Sequence, residues 1–292
     1  MDQSLVVFKE VADRKSFSRA AEVLHMSQPA VSQYISALEK EYGVRLLERS
    51  NKFVQLNKAG EIIYQYAVDI LRKYEQMEIL VSDLKNQPGG ELKIGASYTI
   101  GEYLVPLILK RLQDKYPDIL PDVMIGNTDT VTRTLEKREI DIALVEGEID
   151  RPKIEVEPFA QDRMFIVVGN RPELIRKQYS PVELEKETWL IREEGSGTRR
   201  MAEELFSFLQ ISPERALTFG STQSIKEAVE EGMGITFLSE LAIKKELQQQ
   251  RLHRLDMEGL PFRRQFSLIK NEQEFHPKAL QVFEDEVRML GE

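Results

Sequence analysis

The 292-residue sequence has no cysteine, which excludes disulfides, thiolate metal sites and a cysteine nucleophile. Its three histidines, His25, His253 and His276, are scattered and lie outside any HExxH or triad-like context. No apolar run approaches the roughly 18 residues that suggest a membrane span. The opening segment MDQSLVVFKEVADRK alternates charged and apolar residues and lacks the apolar centre of a secretory signal, so a cytoplasmic location is expected. There is one tryptophan, Trp189, expected in a core. A net charge of −9 argues against nonspecific adhesion of the whole molecule to nucleic acid.

The charge is unevenly spread. Residues 1–58 hold 9 Lys+Arg against 7 Asp+Glu, while the rest hold 31 against 42. Any phosphate contact is therefore expected in the N-terminal part. Chain length allows two or three domains, because single cores stop growing near roughly 250–300 residues.

Leu5, Phe8, Val11 and Ala12 recur at helical spacing and predict a helix from about Asp2 to Asp13. Ser18 reads as the N-cap of a second, short helix with Ala21 and Leu24 inward, closed by His25-Met26. Ser27 caps a third helix, with Pro29 tolerated in its first turn. Val31, Ile35, Leu38 and Tyr42 form its inner stripe. Gln28, Ser32, Ser36 and Glu39 fall on the opposite side, with Gln33 beside them. A helix fits the DNA major groove and reads base edges near its N-terminus; the same polar face reads equally well as simply solvated. The next segment separates the two readings. RSNKFVQLNKAG predicts two short β arms around a Ser50-Asn51 turn, with Arg49 and Lys52 at the tip. A basic tip beside such a helix forms a winged helix-turn-helix, whose wing contacts the DNA backbone.

The run AAEVLHMSQPAVSQYISALEKEYGVRLLERSNKFVQLNKAG resembles the N-terminal domain of LysR-type transcriptional regulators. The matching positions are Phe17, Ala20, Ala21, Leu24, the block Ser27-Gln28-Pro29-Ala30-Val31-Ser32, Ile35, Leu38, Glu39, Gly43, Leu46, Leu47, Arg49, Leu56, Ala59 and Gly60. Asn57 departs from the Thr more usual there, and either residue caps a helix. Ser27, Gln28, Pro29, Ala30, Ser32, Gln33 and Ser36 are the expected groove contacts, and Arg49 and Lys52 the backbone contacts.

From Asn57 a helical pattern runs to about Asn86, roughly 40 Å at the usual rise. Its apolar stripe is Ile63, Tyr66, Ile70, Tyr74, Met77, Val81 and Leu84. A stripe that long predicts a partner helix, hence a homodimer, which the resemblance also implies; packing on the chain's own C-terminal part is the alternative. Tetramers are usual in the family. Gln87-Pro88-Gly89-Gly90 then reads as a hinge.

Beyond the hinge, strands and helices alternate. The strands are LKIGAS, DVMIGN, IDIALVEG, Ile154 to Phe159, Arg163 to Val168, WLIREEG, ALTFGS, ITFLSE, Leu252 to Met257 and Phe266 to Lys270. Helices are expected near Tyr103–Tyr116, Thr130–Arg138, Thr198–Leu209, SIKEAVEEG and Lys278–Leu290. This predicts an α/β region with parallel or mixed sheets covered on both faces. The resemblance implies a two-lobed effector domain similar to periplasmic binding proteins. The expected division is 1–58 for the winged helix-turn-helix, 59–90 for the linker helix and hinge, and 91–292 for the effector-binding domain. Lobe 1 would comprise about 91–161 and 266–292, and lobe 2 about 162–265.

Ligands of open α/β sheets bind beyond the carboxyl ends of strands, near helix N-termini. Those ends carry Ser97, Tyr98 and Thr99; Asn127 and Thr128; Glu146; Ser196, Gly197 and Thr198; and Thr222 and Gln223. Hydroxyls and amides converging without metal ligands suit a small anion, with Arg199 or Arg200 supplying charge, and no cofactor is called for. Ser97, Thr99 and Ser196 read equally well as helix caps. Glu146 opposes a simple anion; it would bind an amino group, pair with an arginine or lie outside the cleft. Gly195-Ser196-Gly197 lacks the Lys-Ser/Thr ending of a phosphate P-loop.

The expected function is sequence-specific promoter binding switched by a small-molecule effector, with RNA polymerase as a further partner if the protein activates. The alternative is a small-molecule binding protein or an enzyme with an accessory helical domain. It leaves Phe17 to Gly60 unexplained, and no acid, base and nucleophile set supports it.

Overall fold

The computed structural model describes residues 2–49, 54–83, 88–147, 149–171, 175, 179–272 and 276–290; the side chains of Arg49, Gln76, Ile79, Ser82 and Asp83 are also outside the description. The chain divides into two compact units, Met1–Asn86 and Gln87–Glu292.

In the first unit α1 spans Gln3–Arg14, α2 Phe17–Val23 and α3 Gln28–Tyr42. The second helix is capped by Ser16, whose side chain accepts from Arg19 N, rather than by Ser18, which is the second residue of the helix. It ends in a Schellman motif. Met26 N–H donates to Ala21 O at 2.9 Å and His25 N–H to Glu22 O at 3.2 Å, with His25 at φ 52° in the left-handed region. His25 is therefore the turn residue of the helix-turn-helix. Val7, Phe8, Val11, Ala20, Val31, Ile35 and Leu38 close one core. Tyr42, expected on the inner stripe, is half exposed, because Gly43 in left-handed conformation ends the helix beside it.

Strands β1 (Leu47–Arg49) and β2 (Val54–Leu56) pair antiparallel, with Arg49 opposite Val54. The Ser50-Asn51 turn and Lys52 lie outside the described residues, as does the Arg49 side chain. Asn57 Oδ1 accepts from Gly60 N at 2.9 Å and opens α4 (Lys58–Asp83). Gly60 has no alternative here: a Cβ would sit 2.1 Å from Leu46 O. The linker helix does bury part of itself on its own unit, through Ala67 and Leu71. The predicted stripe remains outside that contact. Tyr66, Ile70, Tyr74, Met77 and Val81 are exposed, as is Ile62, while Ile63 is partly buried and Leu84 is undescribed.

The second unit begins with β3 (Gly90–Ser97), α5 (Tyr98–Tyr103), α6 (Val105–Lys115), β4 (Ile119–Gly126), α7 (Thr128–Glu136) and β5 (Ile142–Glu146). The helix expected from Tyr103 starts earlier and is two helices, with Pro106 in the first turn of the second. Next come β6 (Ile154–Val168), α8 (Pro181–Glu185), β7 (Thr188–Arg192), α9 (Gly197–Leu209), β8 (Arg215–Phe219), α10 (Thr222–Glu230), β9 (Ile235–Ser239) and α11 (Glu240–Gln248). β10 (His253–Arg254), β11 (Phe262–Asn271) and α12 (Lys278–Arg288) complete it. The strand expected over Leu252–Met257 shrinks to β10, and α8 and α11 were not foreseen.

One sheet runs in the order β4-β3-β5-β11-β6-β9-β7-β8, with β10 beside β6. The three strands β4, β3 and β5 are parallel, as are β9, β7 and β8. The antiparallel pair β11 and β6 joins the two sets. The result is two α/β lobes sharing two long strands. Each lobe is covered on both faces: α6 and α12 pack on one side of the first and α7 on the other. In the second, α9 packs on one side and α10 and α11 on the other. Trp189 is fully buried and donates Nε1–H to Leu184 O at 2.8 Å. β6 is one continuous strand where two were expected. The stretch Ala160-Gln161-Asp162 lies between the two expected strands, but Asp162 is buried and ion-paired with Arg264, its neighbour on β11.

Candidate functional site

Ser27 Oγ accepts from Ala30 N at 3.3 Å and fixes the start of α3. Below it the inner residues Val31, Ile35 and Leu38 are sealed. Above it Ser27, Gln28, Pro29, Gln33 and Ser36 are exposed, and Ala30 and Ser32 partly so. Gln28 Nε2 donates to Ser32 Oγ at 3.3 Å, so the amide lies along the helix surface. Glu39, expected on the same polar face, has another task. Its Oε1 accepts from Leu46 N at 2.9 Å, tying the end of α3 to the approach of β1.

The second unit gathers its candidates around charged groups buried between the lobes. Arg264, on β11, is 5 % exposed. Its Nε donates to Asp162 Oδ2 at 2.8 Å, Nη1 to Thr198 Oγ1 at 3.1 Å, and Nη2 to Thr99 Oγ1 at 3.2 Å. Asp162 Oδ1 also accepts from Ser239 Oγ at 2.8 Å. Arg264 Nη1 is 3.4 Å from Glu146 Oε1, and Thr99 Oγ1 is likewise 3.4 Å from that oxygen. One guanidinium thus links a hydroxyl of each lobe to two carboxylates. Gly197, opening α9, lies so close to β5 that a Cβ would meet Glu146 Cγ at 2.5 Å and Thr128 Oγ1 at 3.2 Å.

A second node adjoins it. Arg192 is buried at the end of β7 and donates to Thr222 Oγ1 at 2.9 Å and to both oxygens of Glu193, at 2.7 and 2.8 Å. Its guanidinium lies 4.4 Å from the centre of the Tyr98 ring. Asn127 caps α7 and donates to Glu193 Oε1 at 3.2 Å, crossing between the lobes. A third node pairs Lys226 of α10 with Glu246 at 2.8 Å and with Tyr103 Oη at 3.1 Å.

Burial pushes the Glu146 carboxyl above the usual glutamate range; Arg264 opposes this and Asp162 adds to it. For Glu193 burial acts in the same upward direction, but hydrogen bonds from Arg192 prevail and hold it below its ordinary value. Burial alone would lower Lys226, yet its bonds to Glu246 and Tyr103 raise it.

All the expected effector residues except Gln223 fall within this network or directly beside it. Gln223 is exposed and donates to Glu227 Oε1 on its own helix. The capping reading fails for Ser97 and Ser196, neither of which makes a side-chain cap bond; Asn127 does cap. Arg199 does not serve the cleft as free charge, since it is held by Glu203 and by Arg192 O. Arg200 is exposed, near Gly147. Sequence reasoning missed Arg264, Asp162, Arg192 and Lys226. The available signal was a charged residue inside an otherwise buried strand or helix face, as in FRRQFSLIK and WLIREEG.

A winged helix-turn-helix unit followed by a two-lobed α/β unit with a polar interlobe centre defines an effector-responsive DNA-binding regulator. Comparison gives the family. Residues 3–61 match the bacterial regulatory helix-turn-helix protein, lysR family, and residues 85–291 the LysR substrate binding domain. The chain is 38 % identical over 280 residues to the HTH-type transcriptional regulator CysL of Bacillus subtilis, covering 96 % of this chain and 94 % of the relative. A full-length OxyR variant from Pseudomonas aeruginosa superposes with TM-score 0.75 at 24 % identity, over 98 % of this chain and 94 % of that one. The regulatory domain of CcmR from Synechocystis PCC6803, solved in complex with 2-PG, matches 70 % of this chain and 98 % of its own at TM-score 0.63 and 25 % identity. The chain belongs to the LysR family: it is a DNA-binding transcriptional regulator with an effector-binding domain, and not an enzyme.

Proposed function

We propose that this regulator reads promoter DNA through the exposed N-terminal face of α3 and is switched by a small molecule held between its two α/β lobes. The carrying observation is the division of α3 into a sealed apolar stripe and an open polar face around Ser27, Gln28, Pro29, Ala30, Ser32, Gln33 and Ser36. Gln suits adenine, Ser either base partner, and the small residues allow close approach. Arg49 and Lys52 hold the DNA backbone through the wing.

The exposed stripe of α4 pairs with the same helix of a second copy, giving a homodimer whose two α3 helices meet successive major grooves. Tetramers form by further pairing. Ser97, Tyr98, Thr99, Asn127, Thr128, Glu146, Ser196, Gly197, Thr198 and Thr222 surround the effector, the reading supported by the polar network that spans both lobes. A ligand that binds one lobe arrangement better than another shifts the equilibrium between DNA-bound states, as linkage requires. RNA polymerase is the further partner where the protein activates, and the cytoplasm is where it works.

Footprinting on the DNA upstream of its own gene tests this reading. Two protected half-sites spaced by about one helical turn or a multiple are expected. A single protected half-site, or uniform coverage, contradicts it.

A further inference from the structure

The interlobe cations are already matched. Arg264 has Asp162 at 2.8 Å, Arg192 has Glu193 at 2.7 Å, and Lys226 has Glu246 at 2.8 Å. Among the described interlobe residues, Glu146 is the carboxylate without a close cation. It is 2 % exposed, its two side-chain contacts are both long at 3.4 Å, and its Oε2 has no hydrogen-bond partner. Ser97 ends β3, the parallel neighbour of β5, and its Oγ is also buried and unpartnered. Two such atoms at neighbouring strand ends are costly unless bound water or a ligand completes them, and a ligand at these strand ends would serve both.

The chemistry of the two atoms is not the same. An ionised carboxylate only accepts, so Glu146 Oε2 asks for a donor; because the Arg264 guanidinium is shared and held more closely by Asp162, a positive donor suits it best. Ser97 Oγ can donate to an acceptor. The first-turn amides of α9 next to Glu146 also suit an acceptor, since Ser196 leaves them uncapped. A plain dianion would meet Glu146 repulsively, and it would find each interlobe cation bound to its own carboxylate.

On the reading that this cleft is the effector site, we infer that its ligand is a small amino acid or amino-acid-like zwitterion. The ammonium donates to Glu146, and the acid group lies towards Ser97 and the start of α9. Glu146 is the residue that distinguishes amine-bearing ligands from their deaminated counterparts.

The test is calorimetric titration and thermal shift of the full-length protein with matched probes: L-aspartate against succinate, L-alanine against propionate, and inorganic sulfate. An amino acid is expected to bind about 10- to 100-fold more tightly than its deaminated partner, the size of one charge-assisted hydrogen bond. In Glu146→Gln that ratio should fall towards one, and the ligand-free variant should melt no lower than the parent at pH 8, because the unmatched charge is gone. Succinate or sulfate binding as tightly as aspartate, lost in Ser97→Ala but unchanged in E146Q, would overturn the amine assignment and leave the cleft as the effector site. Destabilisation of the ligand-free protein by E146Q would also overturn it, by showing that Glu146 is already compensated. If no probe binds parent, S97A or E146Q, both the ligand class and the cleft reading fall.

Discussion

Asp162 and Arg264 stand directly opposite each other on β6 and β11, the two strands shared by the lobes, with Arg264 Nε 2.8 Å from Asp162 Oδ2. Both side chains are sealed from solvent, so the pair is a fixed electrostatic pivot at the crossing between the lobes. Replacing Arg264 by Met removes the cation from two buried carboxylates. The expected loss is roughly 3–5 kcal/mol of stability, the usual cost of orphaning a buried partner. Urea unfolding of the two proteins at equal pH measures it.

Gly197→Ala introduces a Cβ 2.5 Å from Glu146 Cγ and 2.8 Å from Glu146 O. The second contact is backbone and cannot rotate away, so α9 must shift from β5. A lowered melting temperature is expected, together with loss of the effector response, while the DNA-binding unit keeps its far-UV signal.

Glu146 gives the protein a pH dependence of known sign. Its folded value is raised by burial, so its favourable contribution is complete below the unfolded value and disappears as pH rises through the folded one. The charged groups acting on it are Arg264, Asp162 and Arg192. Stability should therefore fall on the alkaline side of the ordinary glutamate range. That part of the slope should vanish in E146Q, measured as melting temperature against pH.

In the DNA-binding unit the roles separate by mutation. Ser27→Ala loses an N-cap bond and should cost about 1 kcal/mol of stability. Gln28→Ala should leave stability nearly unchanged and cost roughly 1–3 kcal/mol of discrimination at one base position. Lys52→Ala should weaken all sequences alike and flatten the salt dependence. Binding assays on a set of single-base variants distinguish these outcomes.

Ile70 and Met77 lie exposed on the α4 stripe. Placing glutamate at both puts charge in the proposed helix pair and should yield a monomer in sedimentation at micromolar concentration. A parent protein that is itself monomeric there contradicts the pairing.

What the sequence disclosed follows from how locally each feature is encoded. The three helices, the Ser27 cap and the paired wing arms rest on neighbouring residues, so periodicity and capping chemistry reveal them. Ser16 displaced Ser18 because either serine can cap, and the choice is decided by where Ala20 and Ala21 meet the core. The strand ends bearing Ser97, Thr128, Glu146 and Thr198 were readable because ligand positions in α/β sheets follow from strand direction. Arg264 and Asp162 were not. They are 102 residues apart, and each reads singly as a surface charge until β6 and β11 pair. The unbroken β6 was missed for the same reason.

The central claim is that α3 reads sequence. Fluorescence anisotropy tests it most directly, comparing a duplex from upstream of the protein's own gene with a scrambled duplex of equal length over a salt series. A preference of about a thousandfold or more is expected at physiological salt, with both affinities falling as salt rises and the preference much reduced in Q28A. Equal affinity for the two duplexes at every salt concentration would contradict it.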